Sequence, residues 1–358
     1  MSWKVRIHPN FSLNQHRYVH PKEWIKYAER LMNSSHEYEK QIGKFIFEWC
    51  LPSENIEITT SGSTGLPKSM PLQKKHMLSS AKATADFFSL YSGTRSLLAM
   101  PAAFIAGKMM LVRGMTMGWN MTYIQPSQLP LKAKASYDFV AMTPYQVYHS
   151  LSDLNNANII LIGGGSIDPN LNEKLQHLKV KVFASYGMTE TCSHIALRAV
   201  NGKKASSKFH AISGVKFSKD SRGCLIIDAP NVHDGVLITN DMIDLFSETA
   251  FVWKGRYDSV INSGGIKINP EQVEEKLSKY IDVNFFISSL PDPILGNKVI
   301  LLIENSTPIE TSLLSTAYEN LKKYEVPKKV YYIERFAWTD TGKIQREKTL
   351  EQIKNKNL

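Results

Sequence analysis

Residues Thr60-Ser61-Gly62-Ser63-Thr64-Gly65-Leu66-Pro67-Lys68 gather four hydroxyls, two glycines and a lysine in one short stretch. Gly62 and Gly65 carry no Cβ, so the backbone there can turn tightly and come close to a ligand. Successive backbone N–H groups in such a turn form an anion-binding concavity. The hydroxyls of Thr60, Ser61, Ser63 and Thr64 add donors, and Lys68 adds a mobile positive charge. This chemistry suits a polyphosphate. The pattern is not the usual phosphate loop, because Gly62 is followed five residues later by Pro67 rather than glycine. A Ser/Gly-rich surface linker is the alternative.

Two further stretches offer chemistry. Tyr186-Gly187-Met188-Thr189-Glu190-Thr191 presents an aromatic face, a hydroxyl and a carboxylate close together. A tyrosine can stack on adenine, and a carboxylate can hold Mg2+ against phosphates. The alternative is an ordinary strand end with a solvated Glu190. In the apolar run from Leu97 to Gly114, Lys108 and Arg113 are out of place. A charge there must be paired or must meet a ligand. Lys108 can snorkel to solvent. For Arg113, an internal carboxylate and a ligand stand as equal alternatives.

The surrounding sequence must position these groups. Ile56 and Ile58 alternate with polar residues, which predicts a short strand before the first loop. Met77, Ala81, Ala85 and Phe88 recur at helical spacing, which predicts that the loop lies between a strand and a helix. Two amphipathic helices precede it, one over 21–31 and one carrying Ile42, Phe45, Ile46 and Trp49. Strands are expected up to Met100, over 137–142, from Asn158 to Ile162 and through Val180, Val182 and Ala184, with helices between them. Such alternation implies parallel β-α-β units, which bind ligands at the carboxyl ends of their strands. Loops 60–68, 163–166 and 185–191 then converge on one sheet edge. From about residue 209 the pattern becomes short strands and turns, with Asn240-Asp241 closing a small antiparallel sheet or barrel. A polar connection through Gly264-Gly265 leads to a helix start at Asn269-Pro270-Glu271. Strands at 283–289, 298–303 and 329–336 and a helix at 311–323 complete an α+β unit.

The chain has 358 residues, a length suited to two domains, with 43% hydrophobic and 21% charged residues. No apolar stretch is long enough to span a membrane, and residues 1–6 lack a secretory apolar core. Cys50, Cys192 and Cys224 are odd in number and lack metal-ligand spacing, which predicts reduced thiols in the cytoplasm. The net charge of +10 comes from scattered lysines with short clusters such as Lys74-Lys75, read as solvated surface; no nucleic-acid signature accompanies them.

The motifs resemble those of the acyl-adenylate-forming enzymes. Thr60 to Lys68 matches that family's T-S-G-[ST]-T-G-x-P-K signature, and Tyr186 to Glu190 its Y-G-x-T-E motif. Gly163-Gly164-Gly165 matches the adenine-binding segment. Thr239-Asn240-Asp241 stands in place of T-G-D, with Asn240 replacing glycine at a turn. Gly255-Arg256-Tyr257-Asp258 matches the G-R-x-D hinge, and Thr341-Gly342-Lys343 lies in the motif that supplies the catalytic lysine. The resemblance implies Thr189 at the α-phosphate, Glu190 on Mg2+, Asp241 and Arg256 at the ribose, Asp258 as pivot and Lys343 as catalytic cation. Tyr186 and Gly187 join the nucleotide contacts. Phe104, Gly107, Lys108, Arg113 and Ser185 belong to the acid pocket, although Phe104 stands where many relatives have histidine.

The implied fold is α/β: a large N-terminal domain (1–255) with a parallel sheet and a small β-barrel-like subdomain, and a small mobile α+β C-terminal domain (256–358). Family members carry well over a hundred residues before the phosphate loop, whereas this sequence has 59 before Thr60, so a shortened N-terminal region is expected. The implied reaction joins a carboxylic acid to coenzyme A through an acyl-adenylate, using ATP and Mg2+. Partners are small molecules, with no nucleic acid and no integral membrane contact, and a homodimer is a possible assembly. The run from Met100 through Gly107 to Arg113 resembles that of o-succinylbenzoate–CoA ligases of menaquinone synthesis. A benzoate-type aryl-CoA ligase and a non-catalytic nucleotide-binding relative are the alternatives.

Overall fold

The computed structural model describes residues 7–59, 69–131, 135–339 and 344–354. The chain divides into two compact units. The first comprises Met1–Ser166, Leu175–Lys216 and Asp228–Val236, and the second the remainder.

In the first unit, β1 (Ser12–Leu13) and β2 (His16–Arg17) precede α1 (Pro21–Met32) and α2 (Glu37–Cys50). Pro21 opens α1, and the Glu23 carboxylate accepts from the His20 N–H at 3.2 Å, a capping arrangement that follows from local sequence. Trp24, Ala28 and Leu31 of α1 and Ile42, Phe45, Ile46 and Trp49 of α2 are buried, as their periodicity predicts. β3 (Asn55–Thr59) buries Ile56 and Ile58 and exposes its other residues. The expected helix does not follow the 60–68 segment directly. β4 (Ser69–Gln73) comes first and pairs antiparallel with β3, with Thr59 opposite Ser69, and α3 (Lys74–Phe88) starts only after it. The segment therefore connects two strands of a separate two-stranded sheet.

The main sheet takes β5 (Arg95–Leu98), then after α4 (Ile105–Met117) β6 (Asn120–Tyr123), then β7 (Tyr137–Met142). Next come α5 (Pro144–His149), β8 (Ala157–Ile162), α6 (Pro169–Gln176), β9 (Lys181–Gly187), β10 (His194–Ala199) and β11 (Phe209–Ala211). Within this unit the order is β11-β10-β9-β8-β7-β5-β6-β1-β2. Neighbours from β9 to β1 are parallel, and β10 runs antiparallel to β9. The central strands are continuous apolar runs, as burial on both faces demands: Phe139, Val140, Ile160, Leu161 and Ile162 are all buried. The order reverses at β5, since β5 to β6 steps one way and β7 to β8 the other. Right-handed crossovers then place α4 and α5 on opposite faces and open a crevice at the strand carboxyl ends.

Lys74 departs from its expected place on a solvated surface. It is fully buried, and its Nζ donates to the carbonyls of Glu48 (2.9 Å), Trp49 (3.1 Å) and Leu51 (2.8 Å). These are acceptors at the end of α2, where helix carbonyls run short of intrahelical donors and a cation also meets the negative end of the helix dipole.

In the second unit, β12 (Lys216–Lys219), β13 (Cys224–Asp228), β14 (Val236–Ser247) and β15 (Ala250–Arg256) lie side by side in that order. Asn240-Asp241 does not close a turn. Both residues lie inside the twelve-residue β14, with Asp241 opposite Arg256, so a glycine substitute tolerant of left-handed backbone is not needed there. The stretch after Asp258 is also more ordered than a polar connection: β16 (Ile261–Ser263) and β17 (Ile266–Ile268) form a hairpin about Gly264-Gly265. α7 (Pro270–Leu277) starts as its sequence predicts, with the Asn269 side chain accepting from the Gln272 N–H. β18 (Phe285–Asp292) and β19 (Gly296–Glu304) are antiparallel, α8 (Thr311–Tyr318) follows, and β20 (Lys329–Ile333) lies parallel to β19. α9 (Arg346–Lys354) follows at 346. Alternation along β19 sends Leu301 and Ile303 to a core with Val273, Leu277 and Ala317, and Ile300 and Leu302 to a second with Phe286, Phe336 and Ile353. Among the described residues no helix is long and apolar enough to cross a membrane.

Candidate active site

Two of the three expected loops meet. β8 and β9 are parallel neighbours with Ile162 opposite Ala184, which sets Gly163-Gly164-Gly165 beside Ser185-Tyr186 at their carboxyl ends. The Ser185 hydroxyl donates to the Ile162 carbonyl at 2.9 Å, and the Gly163 N–H to the Met142 carbonyl of β7 at 3.0 Å. Tyr186 is half-buried, its ring 5.9 Å from that of Phe209. At Gly187 a Cβ would stand 2.3 Å from the Ser193 carbonyl oxygen, so only glycine lets the chain double back onto β10 here. Thr189 and Glu190 lie in a single 3₁₀ turn, Thr189–Thr191. The Glu190 carbonyl lies 3.2 Å from His233 Nδ1. Among the described residues no cluster of three or more His, Cys, Asp or Glu could hold a metal by itself. A lone carboxylate such as Glu190 suits Mg2+, which is usually held by one or two carboxylates together with substrate phosphates. Loop residues Thr60, Ser61, Gly62, Ser63, Thr64, Gly65 and Lys68 lie outside the described residues, as does Lys343.

The acid-pocket residues divide. Phe104 precedes α4, and Gly107 packs its first turn onto Pro101, whose carbonyl oxygen would be 2.2 Å from a Cβ at that position. Lys108 is buried facing α2, with its ammonium 5.3 Å from the Phe45 ring, and burial lowers its pKa. Arg113 faces α3 and the start of β10 instead, so Lys108 and Arg113 are not brought together. Arg113 is 2% exposed, and burial lowers its pKa to about 10. Its Nε donates to the Thr84 hydroxyl (3.2 Å) and its Nη2 to the Ser193 hydroxyl (2.7 Å). His194 completes the group, with Nε2 3.1 Å from Thr84 Oγ1 and Nδ1 3.3 Å from Ser193 Oγ. Burial, and then the Arg113 charge, hold His194 well below the usual histidine range, so it is neutral. The internal carboxylate that would have made Arg113 structural is not found among the described residues.

Sequence reasoning missed Thr84, Ser193 and His194. The signal for Thr84 was a polar residue inside the buried stripe of α3, between Ala81 and Ala85. The signal for the other two was their place just after the Thr189–Thr191 turn. Cys192 joins them to it in an unusual left-handed conformation (φ 59°) with its side chain buried, and so redirects the chain toward Arg113.

In the second unit Asp241 is buried and accepts from Trp253 Nε1 at 3.1 Å. Arg256 makes a bidentate pair with Asp258, Nε to Oδ1 at 2.8 Å and Nη2 to Oδ2 at 2.6 Å. The hydrogen bond from Arg256 holds the Asp258 carboxyl below its ordinary range. β14 and β15 thus bring Asp241 and Arg256 face to face, with Asp258 two residues on.

Comparison with known proteins follows this geometry. The family described as AMP-binding enzyme matches residues 56–217. A crystal structure of an acyl-CoA synthetase (AMP-forming)/AMP-acid ligase II-like protein from Dyadobacter fermentans is 34% identical, with 92% of this chain and 98% of that one covered and a TM-score of 0.59. A 2-succinylbenzoate–CoA ligase of Staphylococcus epidermidis is 26% identical over 332 residues, 83% of this chain and 69% of that protein. The o-succinylbenzoate coenzyme A synthetase of Bacillus subtilis, in complex with ATP and magnesium ion, shares the fold with a TM-score of 0.70 at 21% identity, covering 92% of this chain and 82% of that one. A 34%-identical relative covered over nearly its whole length, a matching family pattern and a shared adenylate-forming fold lead to one placement: the chain belongs to the AMP-binding enzyme family.

Proposed function

We propose that this protein is an AMP-forming acid–CoA ligase, and that its acid is o-succinylbenzoate. One observation carries the substrate assignment: Arg113 is a buried guanidinium whose partners among the described residues are neutral hydroxyls. A buried cation without a counter-charge is costly, and a carboxylate-bearing ligand removes the cost. o-Succinylbenzoate has two carboxylates, of which one is activated, and the other meets the guanidinium as a bidentate acceptor. The relatives that carry this substrate in their names support the same reading.

The chemistry follows from the residues. The activated carboxylate attacks the α-phosphorus of ATP, and pyrophosphate leaves. Tyr186 stacks the adenine and Asp241 and Arg256 bind the ribose. Thr189 and Lys343 donate to phosphate oxygens, where charge builds in the transition state. Glu190 would hold Mg2+, which would neutralise phosphate charge when bound with ATP. The thiol of coenzyme A then attacks the acyl carbon and AMP leaves. Asp258 serves as the pivot between the two steps.

Pyrophosphate release and thioester formation with a panel of carboxylic acids test the proposal. o-Succinylbenzoate is expected to be turned over with coenzyme A, and Lys343→Ala to lose about 10²–10³ in pyrophosphate release. Turnover of benzoates alone would move the substrate to a simple aryl acid. Pyrophosphate release undiminished by Lys343→Ala would remove the lysine from the mechanism.

A further inference from the structure

Once the Thr84 hydroxyl is bonded to the Ser80 carbonyl, the protons of the Arg113 group fall into one pattern. The Thr84 hydroxyl donates its proton to the Ser80 carbonyl at 3.0 Å. Thr84 Oγ1 is then an acceptor toward its other two neighbours, Arg113 Nε and His194 Nε2. His194 must therefore carry its proton on Nε2. A neutral imidazole so protonated has a lone pair on Nδ1, and it accepts from the Ser193 hydroxyl. Ser193 Oγ, its proton spent on His194, accepts from Arg113 Nη2. Every donor in the ring has an acceptor, and no hydroxyl proton points at the guanidinium. The ring occupies Arg113 Nε–H and one Nη2–H. A guanidinium has five N–H donors, so three remain, two on Nη1 and one on Nη2. Those three have no acceptor among the described residues, and one on each nitrogen forms the end of the fork that grips a carboxylate with two parallel bonds.

We propose that Thr84, Ser193 and His194 are positioning residues that lock one edge of Arg113 and leave its other edge free, so that the enzyme selects acids bearing a second carboxylate. This inference rests on the assignment of Arg113 as receptor for that carboxylate and adds the residues that aim it. His194 sets the direction of both hydroxyl protons. A second proton on His194 would leave Ser193 facing two donors, and its own proton without an acceptor, beside an added positive charge. Arg198 also lies on β10, but its guanidinium faces the Phe209 ring. Among the described residues, Arg113 is the one charged group that shifts His194.

The test compares kcat/KM by pyrophosphate release for o-succinylbenzoate and for its derivative with the non-activated carboxylate methylated. The ratio of the two is measured in the parent, Ser193→Ala, Thr84→Val, His194→Leu and His194→Gln, with thermal melting to confirm folding. Ser193→Ala, Thr84→Val and His194→Leu should each lower the ratio about 10- to 100-fold, the range for a hydrogen bond to a charged group, through KM for the diacid. Glutamine offers an N–H donor and a carbonyl acceptor, so His194→Gln should restore most of the ratio. An unchanged ratio in folded Ser193→Ala and Thr84→Val would overturn the proposal, as would equal losses on both acids, which mark a purely structural role. A parent that does not prefer the diacid, or an Arg113→Met variant with the parental ratio, would instead defeat the assignment of Arg113 itself.

Discussion

Two arginines, one in each unit, face the same physical problem and meet it differently. Arg346, at the start of α9, is half-buried and holds the Glu274 carboxylate with two bonds of 2.8 Å. Glu274 also accepts from the Ile287 N–H, so its charge is fully employed. Burial lowers the pKa of Arg346, but the Glu274 charge, its hydrogen bonds and the Glu271 charge together outweigh it, and the net shift is upward. Arg113 is buried more deeply, yet its neighbours are two hydroxyls and a neutral imidazole. Its pKa is lowered to about 10 because burial acts unopposed. A charge that serves the fold is neutralised by the fold, whereas a charge that serves a ligand leaves its counter-charge to the ligand.

Lys74 adds a third solution. It is as buried as Arg113, and three backbone carbonyls receive its protons. Burial lowers it to about 8, while the three carbonyls at the end of α2 account structurally for its presence. Deep burial of a cation therefore does not identify a site. What distinguishes Arg113 is donors left over after the neighbours are counted.

Substitutions can break this contrast. The largest effect on folding is expected at the paired arginine. Arg346→Met strands Glu274 without its partner and should cost about 2–3 kcal/mol in urea unfolding, the range for hydrogen bonds to a charged group. Arg113→Met removes a buried charge without stranding another and should change stability by less than about 1 kcal/mol. Equal losses in the two variants would erase the distinction. Lys74→Met comes next: three carbonyls lose the ammonium, and about 1–3 kcal/mol should follow, read from the same unfolding curves. A neutral result would mean that water replaces the ammonium.

The smallest effect sharpens the comparison through pH. His194 has its pKa depressed in the folded state, so below about 6.5 the unfolded chain binds a proton that the native protein refuses. Stability should then fall as pH drops below that value, and His194→Gln should show a shallower decline. Parallel melting curves for the two proteins between pH 7 and 5 would mean that His194 is charged in the fold.

The sequence revealed elements whose causes are local. Thr143-Pro144 and Asn269-Pro270 start helices because a side-chain cap and a fixed proline φ act within four residues. The meeting of Gly163-Gly164-Gly165 with Tyr186 was legible because apolar strands alternating with helices leave little choice but a parallel sheet. β4 was not, since Ser69, Pro71 and Gln73 are weak strand formers and only pairing with β3 holds them extended. Nor was the course of β14 through Asn240-Asp241, where residues that favour turns are overridden by pairing with β15. The setting of Arg113 was hidden for the same reason. Its residue type and apolar surroundings called for an internal carboxylate or a ligand alike, and Thr84 and Ser193 lie far from it in the chain, so only the fold joins them.

On the reading proposed above, the unused edge of Arg113 is the receptor for the second carboxylate of the acid. This role is tested most directly by kcat/KM for o-succinylbenzoate and for benzoate in the parent and in Arg113→Ala. A fall of about 30- to 5,000-fold is expected for the diacid, from about 2–5 kcal/mol for a desolvated charge pair, with benzoate turnover and the KM for ATP close to the parent's. Equal losses on both acids, or an undiminished diacid, would contradict it.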